Sequence, residues 1–457
     1  MLDVPNDIDR LRDIDNAHHL HPFTDHKALH AGRVRVITRA DGVWLTDGDG
    51  NRILDGMSGL WCVNVGYSQP SLVEAAARQM TLLPYYNTFF SSTTAPVAAL
   101  SERLAALAPP GFSRVFYASS GSEAVDSALR MARVFWQLQG KPEKRIIVSR
   151  EYGYHGSTMA GASAGGMRDM HRQAGDLPDF RQVATPYTYR DAGDLTPHDF
   201  GLQAARSLET LIEEVGADRI AAFIGEPIQG AGGVIIPPDS YWPEIQRICR
   251  AHDILLIADE VICGFGRLGA MFGSISYGIE PDLMTTAKGI TSGYIPLSAV
   301  FVGDRVAETF IEQGGEFYHG FTYSGHPVAC AVALANLDII EGQGLVTMAE
   351  RQGVTLRAAL ETALAGHPLV GEIRGRGLIG AIELVEDRDA HRFFPSSRKV
   401  GMTCRDFAVA EGLMMRACRD TMVFAPPLVI SDEEIGALAS RAARAIDRTW
   451  ESLGVAR

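Results

Sequence analysis

The chain of 457 residues is 46% apolar with a formal charge of −13, which describes a globular protein too long for a single core, so two or three lobes are expected. The acidic balance argues against a nucleic-acid groove or an anionic membrane surface, both of which reward clustered Lys and Arg, and leaves small molecules as the expected partners. Six scattered cysteines, Cys62, Cys249, Cys263, Cys330, Cys404 and Cys418, form no CxxC pair, so neither a zinc ribbon nor a disulfide framework is indicated and buried thiols are expected.

The start, MLDVPNDIDRLRDID, is acidic and lacks the apolar stretch of a signal peptide, and no long apolar run follows; a cytoplasmic chain is expected. After this arm, VWLTDGDGNRILDGMSGLW reads as two short strands about a turn at Asp47 to Asn51. From Ser71 apolar runs of strand length alternate with helical stretches: RVFYAS, RIIVSR, IAAFIGEP, ILLIADEV, DLMTTAK and LSAVFVG. Continuous apolar strands between helices predict a mostly parallel sheet covered on both faces. From Val328 a long helical stretch leads to GEIRGRGLIGAIELV, another helical stretch, MVFAPPLVI and a last helix opened by the capping box of Ser431 and Glu434. The fold class expected is therefore α/β, with a large domain whose mostly parallel sheet is covered by helices and a smaller α+β domain. Residues 1–70 read as the N-terminal arm and part of the small domain, 71–327 as the large cofactor-binding domain and 328–457 as the C-terminal small domain.

Two segments match the dinucleotide fingerprint GxGxxG. GFGRLG, Gly264 to Gly269, follows a strand and has Asp282 downstream, the pattern of an NAD-dependent dehydrogenase. The helix that should hold the pyrophosphate is missing, because AMFGSISYGIEPD is rich in turn residues, and Asp259 and Glu260 would repel the ligand. GRGLIG, Gly375 to Gly380, precedes its strand rather than following it.

FYASSGSEAVDSALRMAR has what those segments lack: a strand, the small-residue loop Ser119-Ser120-Gly121-Ser122, and an amphipathic helix from Glu123 with Ala124, Ala128, Met131, Ala132 and Phe135 on one face. Such a helix start suits a single phosphate, although a serine N-cap alone would look the same. Asp259 ends a strand, where ligands of open α/β sheets gather, and could keep a heterocyclic nitrogen protonated or merely cap a loop. Lys288, at the end of a later strand, carries an amine able to bond an aldehyde, or could be a surface lysine. Pyridoxal 5'-phosphate needs all three partners at once.

The sequence resembles the class III, or omega, aminotransferases of the fold type I pyridoxal phosphate enzymes. The resemblance covers nearly the whole chain through SSGSEA, YHGST, GEPIQGAGGVIIPP, IADEVICGFGRLG, TTAKGITSGYIPLSAV and HGFTYSGHPVACAVALANL, in the family's order. It implies that Lys288 bonds the cofactor aldehyde, that Asp259 faces the ring nitrogen, and that Ser120, Gly121 and Ser122 hold the phosphate, with Thr322 contributed by a neighbouring subunit. Tyr154 is implied to stack on the ring beside His155, and Glu226 to lie near its phenolic edge. Trp61, Phe89, Tyr154, Ala231 and Arg416 resemble the substrate residues of the branch that moves an amino group from omega-amino acids or primary amines to pyruvate by a ping-pong mechanism. Arg416 would grip a substrate carboxylate and withdraw from apolar groups. The implied assembly is a homodimer, or a dimer of dimers, with the active site at the interface. An aminomutase or decarboxylase of the same class remains an alternative, since Lys288 and Asp259 do not separate these reactions.

Overall fold

The computed structural model describes residues 7–454. Seven strands form the central sheet, in the spatial order Phe112–Ala118, Ser298–Gly303, Leu283–Thr286, Leu255–Asp259, Ile220–Gly225, Ile146–Arg150 and Phe180–Val183. Only Ser298–Gly303 runs against its neighbours; the other pairings are parallel. The sheet is thus mostly parallel, as expected, and includes the strand Phe180–Val183 that the apolar runs do not reveal.

Successive side chains alternate between two cores, which is why these strands are apolar at nearly every position. Ile147, Ile224, Leu255 and Ile257 pack under the helix Gly121–Leu138, against Ala124, Ala128, Ala132 and Phe135. Val148, Phe223 and Leu256 face the opposite way, onto Leu208 of the helix Pro197–Val215 and Trp242 and Ile245 of the helix Tyr241–Ala251.

Two smaller sheets flank the large one. The strands Ile37–Asp41, Trp44–Asp47 and Arg52–Asp55 are joined by the parallel strand Leu413–Met414, with Leu413 opposite Leu54. The first chain segment and the C-terminal third therefore share one sheet. The other sheet is antiparallel and contains Val370–Arg376, Ile379–Leu384, Thr421–Phe424 and Arg416–Cys418. Here GRGLIG is a hairpin, with Gly375 paired to Gly380. The last helix, Asp432–Ser452, begins at the Ser431 and Glu434 capping box.

The GFGRLG segment has a mechanical role. Phe265 packs in the core, and the buried Arg267 donates to Leu378 O, Pro426 O, Ser58 Oγ and Asn64 Oδ1. One guanidinium thus joins the N-terminal segment, the loop after Asp259 and the C-terminal sheet. Among the described residues no single helix is long and apolar enough to cross a membrane.

Candidate active site

The carboxyl ends of the central strands open on a cavity of about 330 Å³, lined by Ser119 to Ser122, Tyr154, His155, Glu226, Asp259 and Lys288. Each group arrives for a local reason. The helix Gly121–Leu138 starts two residues earlier than its apolar pattern suggests, because Ser120 caps it: Ser120 Oγ accepts from Glu123 N at 3.2 Å, and Glu123 reaches back to Ser119 N and Ser120 N. The amides of Gly121 and Ser122 are left without acceptors among the described residues. They sit at the positive end of the helix, where an anion is stabilised. Gly156, at φ 120°, lets the YHGST loop approach closely, since a Cβ there would lie 2.6 Å from Ser122 Oγ.

Asp259 is the last residue of its strand and is 3% exposed. Its Oδ2 accepts from His155 Nδ1 at 2.7 Å, while Thr285 Oγ1 and Val261 N reach Oδ1 at 3.1 and 3.2 Å. An ionised carboxylate only accepts, so Nδ1 carries the proton. Glu226 is buried and takes Tyr154 N at 3.1 Å and Gly230 N at 2.8 Å. Burial raises its pKa, the nearby His155 opposing and Asp259 reinforcing that shift.

Lys288 does not end its strand. The strand stops at Thr286, and Lys288 opens a short 3-10 turn with φ 38°. That left-handed backbone is unfavourable for a side-chain-bearing residue by roughly 1–3 kcal/mol, and buried Asn336 fixes it by donating to Gly289 O and Ile290 O at 2.9 and 3.1 Å. The Lys288 amine makes no hydrogen bond or ion pair among the described residues. Burial lowers its pKa most; Cys62, Asp259 and Glu226 act against this and Arg416 with it. More of the amine is therefore neutral, and nucleophilic, than for a solvated lysine.

The proposed substrate residues divide. Trp61 and Ala231 are buried in one cluster with Ile262, a cavity-lining residue, and Tyr154 packs against it. Arg416 holds its guanidinium carbon 4.8 Å from the Trp61 ring centroid. Phe89 and Thr322 are exposed and do not line the cavity of this single chain; Thr322 O accepts from Tyr85 Oη at 2.6 Å. Two neighbours of the site carry no signal in the sequence. Cys62 is half-buried and lines the cavity, whereas the other five thiols are buried as expected. Phe23, from the N-terminal arm, meets the Tyr154 ring edge-on at 6.4 Å.

The family profile of class-III aminotransferases matches residues 27–446. The chain belongs to the class III aminotransferase family. It is 51% identical over 434 residues to a putrescine–pyruvate aminotransferase of Pseudomonas aeruginosa, covering 94% of both chains. A diaminobutyrate–2-oxoglutarate transaminase of Halomonas elongata is 44% identical over 92% of this chain and 91% of its own. Among solved structures, an (S)-enantioselective omega-transaminase from Thermomicrobium roseum superposes with a TM-score of 0.94 at 44% identity, covering 96% of this chain and 98% of that one. The omega transaminase of Pseudomonas jessenii in complex with PMP gives 0.95 at 42% identity, covering 97% and 99%.

This aminotransferase depends on pyridoxal phosphate, and its residues suit that group. Two free amides at a helix start match a phosphate, a buried carboxylate held by His155 matches a protonated ring nitrogen, and an unpaired lysine matches an aldehyde. The substrates are an amine donor and a keto acid acceptor. The dehydrogenase reading of GFGRLG is overturned by the family match: a helix does follow the loop, contrary to expectation, but Gly273–Tyr277 has only five residues, the Gly273 and Ser274 amides at its start are taken by Glu260, and Arg267 of the loop is a buried joint between segments.

Proposed function

We propose that this aminotransferase moves the amino group of an omega-amino acid or primary amine to pyruvate by a ping-pong cycle, with Lys288 and Asp259 as its central residues. The observation that carries the reading is the convergence of an unpaired Lys288 amine, the Asp259 carboxylate and the free Gly121 and Ser122 amides on one cavity.

Pyridoxal phosphate, when bound, supplies an aldehyde that takes up the amino group and a ring that accepts the electrons left by the departing carbon proton. Ser120, Gly121 and Ser122 would hold its phosphate, and Asp259, fixed by His155, would hold the proton on its ring nitrogen. Tyr154 and Glu226 line the same cavity, where Tyr154 would orient the ring and Glu226 would lie near its phenolic edge. Lys288 Nζ, which has no partner among the described residues, is the group that would bond that aldehyde. In its neutral form, favoured by burial, the same Nζ would take the proton from the substrate carbon as general base and return it as general acid. Trp61, Ala231 and Tyr154 give an apolar wall for the substituent, and Arg416 pairs with a carboxylate when the substrate carries one. Pyruvate as acceptor is supported by the 51% identical relative named for it.

A homodimer is part of the proposal. Phe90, Tyr318 and Leu82 are 91%, 81% and 79% exposed, large apolar side chains of the kind a second copy would cover, and that copy would bring Thr322 and Phe89 to the site. Residues 71–327 form the large domain in this reading, with 1–70 giving the N-terminal arm and part of the small domain and 328–457 the rest of it. The six unpaired cysteines agree with a reducing, cytoplasmic setting.

The test mixes purified holoenzyme with an amine panel and follows loss of its visible band, then supplies pyruvate and counts alanine. Alanine formed in step with amine consumed supports the reading. A retained band with every amine would refute it. Arg416→Ala is expected to raise KM for omega-amino acids about tenfold or more while leaving carboxylate-free amines nearly unaffected.

A further inference from the structure

A second cavity, of about 390 Å³, shares no lining residue with the active site and is walled by Arg35, Arg52 and Arg441. It lies where the strand Arg52–Asp55, the turn before Leu413 and the last helix meet. Arg52 and Arg441 crowd one indole, their guanidinium carbons 4.1 and 5.0 Å from the Trp44 ring centroid. The Arg52 guanidinium makes no hydrogen bond or ion pair among the described residues, and that of Arg441 donates only to Gly412 O at 2.5 Å.

The acids in this wall are already engaged. Asp47 accepts from Asn51 N, Asn51 Nδ2 and Asp49 N at 2.8, 2.9 and 3.1 Å, and meets Arg35 only at 3.7 Å. Glu411 is held by Arg444 and Arg448 at 2.7 and 2.8 Å. Positive charge is left over on the cavity side of a chain whose formal charge is −13. Burial and then Arg444 and Arg52 lower the pKa of Arg441, with Glu411 opposing them.

We propose that this cavity binds a small anion carrying two or more negatively charged oxygens, with Arg52 and Arg441 as its principal ligands. Guanidinium forks suit such oxygens through paired, charge-assisted hydrogen bonds. An anion bridging them would tie the N-terminal strand to the last helix, so it should stabilise the fold as well as bind.

The test is calorimetric titration of cofactor-saturated enzyme, whose phosphate cup is filled, with sodium pyrophosphate and separately with malonate at fixed ionic strength. Binding of either at one per chain, weakened about tenfold or more by Arg52→Gln, and a rise in melting temperature that this variant loses, are the expected results; the two probes tell a phosphate ligand from a carboxylate one. Arg52 is exposed, so the single variant reports even if Arg52→Gln/Arg441→Gln folds poorly. Failure of both probes to bind, or equal affinity in wild type and Arg52→Gln, would overturn the proposal.

Discussion

His155 Nδ1 lies 2.7 Å from Asp259 Oδ2, and both residues are almost fully buried, at 2% and 3% exposure. A carboxylate in such a place needs partners to stay charged and aimed. His155→Asn keeps a donor near the Nδ1 position, whereas His155→Leu removes it. We expect His155→Leu to lower kcat/KM roughly 10- to 100-fold, about 1.4–2.8 kcal/mol, with a visible band that becomes pH-dependent, and His155→Asn to restore much of both. Equal behaviour of the two variants would show that the hydrogen bond is not what matters.

Gly156 offers a test of the phosphate cup. With φ 120° and a would-be Cβ 2.8 Å from Ser122 Cα, Gly156→Ala must either strain its own backbone or push Ser122 aside. The expected cost is about 1–3 kcal/mol of stability, with cofactor affinity weakened on the order of tenfold or more, read by cofactor titration and chemical denaturation. Unchanged affinity would separate this loop from the cup.

The cup is legible in the sequence because strand, small-residue loop and amphipathic helix are contiguous between Phe116 and Arg133. Asp259 and Lys288 are legible for a related reason: each follows an apolar run. The residues that hold them are not. Asn336 fixes the Lys288 turn from a distant helix, and Arg267 binds Ser58 and Asn64 from the far end of the chain; nothing local marks such partners. The pairing of Leu413 with Leu54 has the same origin, as a two-residue strand carries no periodicity. Phe89 and Thr322 differ again, since one chain cannot complete a site that the reading places between two.

Glu260 makes a prediction about pH and stability. It is fully buried, accepting from Gly273 N and from Ser274 N and Oγ, and burial pushes its pKa up to about 7. Because the folded pKa lies above the unfolded one, the folded state binds the proton more tightly. That contribution is fully present below about pH 4.3 and is lost as pH rises through about 7, an effect of about 4 kcal/mol. Denaturation of wild type and Glu260→Gln across this window should show the variant losing less stability with rising pH. Parallel curves would assign the titration elsewhere.

The most direct test concerns Lys288 itself. Borohydride reduction of the holoenzyme, followed by peptide mapping, should find the cofactor fixed to Lys288 alone, and Lys288→Arg should keep the charge yet show neither attachment nor turnover. Attachment at another lysine, or transamination retained by Lys288→Arg, would contradict the account.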